Sequence, residues 1–152
     1  MRGNRLAEIR EIYEVSQREV AELLGIGKSA YARWETLERY IPLNRLNDFC
    51  NLYKVSMDYA MNLSSVNCST IKKLSIDKKL VGKRLKKIRE SFNITQEQLA
   101  TQLNTSHSTI SAYENGKTMI LTIFALDICK KYKISLDWLC GKSNVIILKN
   151  NI

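Results

Sequence analysis

The side chains able to do chemistry are few, and their spacing suits binding better than catalysis. His107 is the single histidine, so any nucleophile–base dyad would have to use it. The cysteines, Cys50, Cys68, Cys129 and Cys140, include no C-x-x-C pair, whereas zinc takes about four soft ligands, usually in close pairs. Cys50, Cys129 and Cys140 read as small core residues. Cys68 lies outside the repeated segments and is open to exposure. No Gly-rich phosphate loop and no carboxylate pair in a recognisable context is present, so neither an enzyme nor a metal or cofactor is expected. Positive charge is abundant: 24 Lys+Arg against 15 Asp+Glu, a net +9. Residues 1–62 are balanced at nine basic and nine acidic, but Lys72 to Arg89 hold nine basic residues and one acid, Asp77. Such a run is commonly a solvated face. Beside the motif described next, it points to a polyanionic partner.

The element that would position those charges is Thr95 to Lys117, TQEQLATQLNTSHSTISAYENGK. Thr95 with Gln98 three residues on is a capping-box signature. Leu99, Ala100 and Leu103 follow at helical spacing. Asn104 falls where the chain must turn, and Asn tolerates a left-handed backbone. Ser106 can cap a second helix that buries Ile110 and Tyr113 and ends near Asn115-Gly116. Ala100 is small where the helices would cross. Together these features describe a helix-turn-helix.

The motif occurs twice. Shifted by 79 residues, the sequence matches itself without a gap. Leu6, Ile9 and Arg10 fall on Leu85, Ile88 and Arg89, and Glu35 falls on Glu114. Farther on, Cys50, Tyr53, Lys54, Ser56 and Asp58 fall on Cys129, Tyr132, Lys133, Ser135 and Asp137. Of the 59 pairs from Asn4 to Asn62, 17 are identical, too many in one gapless register for coincidence. The chain therefore reads as two copies of a ~60-residue domain. The copies span residues 1–62 and 81–141, joined by a basic linker, 63–80, and followed by a tail, 142–152. The fold class is all-α, with five short helices per copy, at 4–14, 17–24, 28–36, 44–53 and 57–62, then 81–92, 96–103, 107–115, 122–132 and 136–141. Gly25 occupies the turn position of Asn104, which supports positive φ there. Ser56 and Ser135 are expected N-caps, with Asp58 and Asp137 in the first turn.

The linker is expected to become helical before or at Leu80. The tail carries a four-residue apolar run, Val145 to Leu148, readable as a strand or as a segment docking on a partner subunit. No apolar run approaches the ~20 residues that cross a membrane. The N-terminus, MRGNRLAEIREIYE, lacks the apolar block of a signal peptide. A cytoplasmic protein is expected.

Both copies resemble the helix-turn-helix domain of the Cro/cI (Xre) repressor family, a lambda-repressor-like fold. The resemblance rests on IRESFNITQEQLATQLNTSHSTISAYENGK and SLDWLCGK in the second copy. It rests more loosely on IREIYEVSQREVAELLGIGKSAYARWE and VSMDYAMN in the first. It implies that Arg10 pairs with Glu35, and Arg89 with Glu114, as partly buried ties between helices. It implies that Gln17 and Gln96, opening the second helix of each copy, sit at the DNA backbone, where a helix N-terminus also favours an anion. The base-facing residues would be Lys28, Ser29 and Arg33 in copy one and His107, Ser108, Thr109 and Ser111 in copy two. Asn115 and Lys117 match the family's phosphate-facing loop.

The copies would not be equivalent readers. Lys28 and Arg33 suit guanine O6 and N7, but copy one is neutral and has Thr36-Leu37-Glu38 where copy two has Asn115-Gly116-Lys117. Copy two has the basic context and small outward residues, with Ala112 where Arg33 lies. The function implied is a sequence-specific transcriptional regulator, a repressor of phage or mobile-element type, on a double-stranded DNA operator. Both motifs would engage neighbouring half-sites, or one would bind DNA while the other dimerises. Unlike readers give an asymmetric target for one chain, where a homodimer gives a palindrome of composite half-sites. The alternative is a protein-binding inhibitor or adaptor, of the kind seen among anti-CRISPR proteins, that reuses the fold to engage a host protein.

Overall fold

The computed structural model describes residues 3–68, 72 and 74–148. Ten helices occur among them. Copy one holds α1 (Leu6–Ile12), α2 (Gln17–Leu24), α3 (Lys28–Thr36), α4 (Leu43–Tyr53) and α5 (Met57–Ala60). Copy two holds α6 (Lys78–Ser91), α7 (Gln96–Gln102), α8 (His107–Glu114), α9 (Thr122–Tyr132) and α10 (Leu136–Leu139).

The expected local signals set the helix ends. Ser16 and Thr95 each accept a hydrogen bond from the backbone N–H three residues on, and Glu19 and Gln98 reach back to complete two capping boxes. Gly25 and Asn104 hold the turn at φ 69° and 56°. Ser106, Ser56 and Ser135 cap α8, α5 and α10. The linker turns helical before Leu80, as expected: Asp77 caps Lys79 N–H at 2.9 Å and, ahead of the span 81–92, starts α6 at Lys78. Its 14 residues are twice the length of its counterpart α1.

A single apolar cluster runs through both copies. Leu6, Val20, Tyr31, Leu46 and Phe49 lie in it with their counterparts Leu85, Leu99, Ile110, Ala125 and Ile128. Cys50, Cys129 and Cys140 are buried in it, whereas Cys68 is half-buried. Each fully buried aliphatic side chain contributes roughly 1.5–3 kcal/mol, so two thin cores gain by merging.

The joint between the copies repeats the 79-residue register. Asp137 accepts hydrogen bonds from the backbone N–H groups of Met57 and Asp58, both at 2.9 Å. Asp58 in turn accepts from Leu136 N–H and the Ser135 hydroxyl, both at 2.6 Å. Thr122 donates to the carbonyl of Ile41 at 2.5 Å, which brings the N-termini of α4 and α9 together. Lys142, buried, donates to Asn51 at 3.1 Å. The linker crosses the same region: Asn47 holds the Leu74 carbonyl at 2.6 Å, and Lys72 N–H bonds to the Lys142 carbonyl at 3.1 Å.

The tail docks on its own chain. Ile147 forms an antiparallel bridge with Ile134, Ser135 N–H bonds to the Ile146 carbonyl, and Leu148 N–H bonds to the Lys133 carbonyl. Copy one satisfies the equivalent groups with one side chain. Asn67 accepts from Ser56 N–H at 2.9 Å and donates to the Lys54 carbonyl at 3.3 Å.

Candidate nucleic-acid interface

The second helix-turn-helix is held by a chain of polar contacts that begins in α6. Arg89 grips Glu114 with two parallel bonds of 2.8 and 2.9 Å, and its third nitrogen bonds to the Ile94 carbonyl. Bidentate geometry of this kind fixes orientation as well as distance. Gln96 donates its amide to Glu114 at 3.2 Å. Its oxygen must then face His107, 2.8 Å away, so His107 Nε2 is the donor. His107, the first residue of α8, is therefore tied to the first residue of α7.

Copy one repeats the chain as far as Gln17. Arg10 grips Glu35 at 2.8 and 3.2 Å, and Gln17 donates to Glu35 at 3.0 Å. Burial pushes the Glu35 carboxyl up, but the hydrogen bonds from Arg10 and Gln17 outweigh it and hold the group below its ordinary range. Lys28 stands where His107 does and is exposed. The four Arg and Glu side chains are mostly or fully buried, which agrees with the positioning role expected of them.

The resemblance places Gln17 and Gln96 at the DNA backbone. They lie half-buried at the starts of α2 and α7 with their amide nitrogens turned inward onto the glutamates. What they leave toward solvent is the positive end of each helix.

The remaining candidates are outward but not equally free. Lys28, Ser29 and Arg33 are exposed along α3. Arg33 lies 3.7 Å from Glu38. In copy two, His107 and Ser108 are exposed. Thr109 is half-buried and shares a hydrogen bond with the capping hydroxyl of Ser106 at 2.8 Å. Ser111 is half-buried and accepts from Asn115 at 3.2 Å. Ser108 shares a hydrogen bond with the Ser106 hydroxyl at 3.0 Å, so three of the expected base readers engage their hydroxyls within the motif.

The loop expected to face phosphate, Asn115 to Lys117, has cations beside it that the motif alone did not reveal. Gly116 has φ +70°, and a Cβ there would lie 2.9 Å from Lys79 Cα. Lys78 donates to the Lys117 carbonyl at 3.2 Å. The first turn of α6 therefore lies against the loop, with Lys78, Lys79 and Lys117 all exposed. Gly82 permits this approach, since a Cβ there would stand 2.2 Å from the Tyr113 carbonyl oxygen at the end of α8. Asp77 followed by a basic, periodic run was the sequence signal for this extra turn. Other members of the basic run are structural. Arg84 lies over the Trp138 ring at 4.8 Å and bonds to the Trp138 and Ser143 carbonyls, while Lys87 lies 5.9 Å from the same ring. Arg5 over Tyr59 at 4.3 Å is the equivalent contact in copy one.

In copy one the matching loop differs in charge and backbone. Leu37 holds the position of Gly116 at φ 62°, a conformation unfavourable for a residue with a branched side chain. Glu38 places a carboxylate where Lys117 lies in copy two.

A profile described as helix-turn-helix matches residues 6–59, and one described as helix-turn-helix domain matches residues 82–145. The chain is a tandem helix-turn-helix protein of the Cro/cI (Xre) type. Among its relatives is an uncharacterized HTH-type transcriptional regulator, YobD, of Bacillus subtilis. It is 35% identical over 60 residues, 40% of this chain and 54% of the relative. The HTH-type transcriptional regulator ImmR of Bacillus subtilis is 35% identical over 65 residues, 43% of this chain and 51% of its own length. The antitoxin PezA of Streptococcus pneumoniae is 28% identical over 67 residues, 44% of this chain and 42% of its own length. The tandem chain thus spans about half the length of the curated relatives it matches. No helix among the described residues is long and apolar enough to cross a membrane.

Proposed function

We propose that this tandem helix-turn-helix protein is a sequence-specific DNA-binding transcriptional regulator, of the repressor type found in phages and mobile elements. The observation that carries this reading is the join between α6 and the second motif. Lys78, Lys79 and Lys117 converge at the C-terminal end of α8, the helix whose first residues are the exposed His107 and Ser108. Cations beside a helix whose outward side chains are small and polar fit duplex DNA, phosphates outside and base edges within the groove. Relatives named as transcriptional regulators support the same reading. Copy one adds Lys28 and Arg33, which suit guanine, so base selection falls mainly to α3 and phosphate affinity mainly to copy two.

Selection from randomised duplexes at about 150 mM salt tests this. A defined sequence is expected, with affinity that falls steeply as salt rises. Recovery of no preferred sequence would remove the reading. A second reading, a protein-binding adaptor, is favoured by Glu38 and the neutral charge of copy one. A relative named as an antitoxin is compatible with it. Stoichiometric capture of one host protein, with no selected duplex, would support it.

A further inference from the structure

The joint between the two copies has the form of a dimer interface closed within one chain. In an interface with two-fold symmetry, the same patch on each side contacts its own counterpart. Here Asp58 meets the start of α10, and its counterpart Asp137 meets the start of α5. Thr122 at the start of α9 meets Ile41, which precedes α4. The same elements, offset by 79 residues, are used from both sides. Such a patch is self-complementary, and once both halves are engaged no copy of it remains for a second chain.

The joint also lies next to both phosphate-facing loops. Lys117 is five residues before Thr122, and Glu38 is three residues before Ile41. A chain reaches at most about 3.6 Å per residue. The two loops are therefore no more than about 36 Å apart, within one turn of B-DNA at ~34–36 Å. Two motifs held no farther apart than that are within reach of one duplex without a partner.

We propose that a single chain fills a whole operator, reading two unlike half-sites whose centre lies beneath the junction of α4 and α9. The half under α3 carries most of the sequence information, because Lys28 and Arg33 can each pair with guanine. The half under α8 carries little, because Ser108, Thr109 and Ser111 are engaged internally and His107 is held by Gln96. The target is an asymmetric duplex of about two helical turns, bound one to one, where a homodimer would take a palindrome. This proposal rests on the regulator reading above.

Native mass spectrometry of the full chain with its selected duplex tests the stoichiometry, and the selected sequences test the asymmetry. One chain per duplex is expected, with binding that saturates at a Hill coefficient of 1 and sequence preference concentrated in one half. Lys28→Ala with Arg33→Ala is expected to flatten that half alone, lowering discrimination there at least tenfold. Two chains per duplex, or a palindromic preference, would overturn the single-chain operator while leaving the regulator reading intact. If no duplex is selected at all, both readings fall together.

Discussion

Asp58 and Asp137 each accept hydrogen bonds at the N-terminus of the short helix that carries the other. The exchange brings two buried carboxyls together. Burial, and after it the charge of Asp137, push the Asp58 carboxyl up to about 8. The pseudo-symmetry is broken by Lys142, which is 1% exposed where copy one has Leu63. Burial and the facing carboxyl therefore favour a proton on Asp58, in a joint that also encloses Lys142.

That charge arrangement makes the two aspartates unequal under mutation. Asp58→Asn keeps an acceptor for Leu136 N–H, turns the oxygen facing Ser135 into an amide that can donate to that hydroxyl, and removes the titrating proton. Its melting temperature at pH 8 is expected to match or exceed that of the parent chain. Asp137→Asn weakens the two bonds that its carboxylate oxygens accept from the Met57 and Asp58 N–H groups. It is expected to cost about 2 kcal/mol, or roughly 4–8 °C. Equal losses in thermal melts would contradict this assignment.

The pH dependence has a definite sign. A raised carboxyl pKa means that the folded chain binds the proton more tightly than the unfolded one. The Asp58 contribution is therefore complete below its ordinary value of 3.8 and erodes as pH climbs through about 8. Glu35 acts in the opposite sense. Its pKa is held below the ordinary 4.5, so its contribution is present above 4.5 and lost as pH falls through the lowered value. Stability from these two groups is greatest on the acidic side of neutrality. Denaturant titrations across pH 3–9 are expected to show that maximum, and Asp58→Asn is expected to flatten the alkaline limb.

Glu114 is expected to be the costliest polar position in copy two. Its removal strands Arg89, whose side chain is only 13% exposed, and frees Gln96 and with it His107. Glu114→Ala should lose about 3 kcal/mol, read from chemical denaturation. A loss below about 1 kcal/mol would mean that the pair does not hold α8 in place.

Charge at the two loops should be separable from base choice. Replacing Lys78, Lys79 and Lys117 by Ala should weaken every duplex alike. The slope of log affinity against log salt should become shallower by roughly 0.9 for each phosphate no longer neutralised. Glu38→Lys should do the reverse, because it also releases Arg33 from its 3.7 Å ion pair. Titrations at several salt concentrations check both. An unchanged slope in the triple variant would place the phosphate-binding cations elsewhere.

Much of this architecture is legible in the residues. Periodicity, the capping boxes at Ser16 and Thr95, and the turns at Gly25 and Asn104 are local signals, and local hydrogen bonds enforce them in the fold. The Arg10–Glu35 and Arg89–Glu114 ties follow from the resemblance. The joint was not legible, because Asp58 and Asp137 look like ordinary first-turn carboxylates suited to their own helix ends. Only tertiary packing shows that each serves the opposite helix. The start of α6 before Leu80 was legible, but its fit against Gly116 was not, because that contact forms only when the two segments pack. The inward turn of Gln17 and Gln96 likewise depends on where Glu35 and Glu114 end up in space.

The division of labour between the copies is tested most directly by guanine N7 methylation protection on the selected duplex. Guanines protected in one half of the site are expected, and Lys28→Ala with Arg33→Ala should abolish that protection while backbone protection of the other half persists. Guanine protection that is unchanged in the double variant would contradict the assignment of base reading to α3.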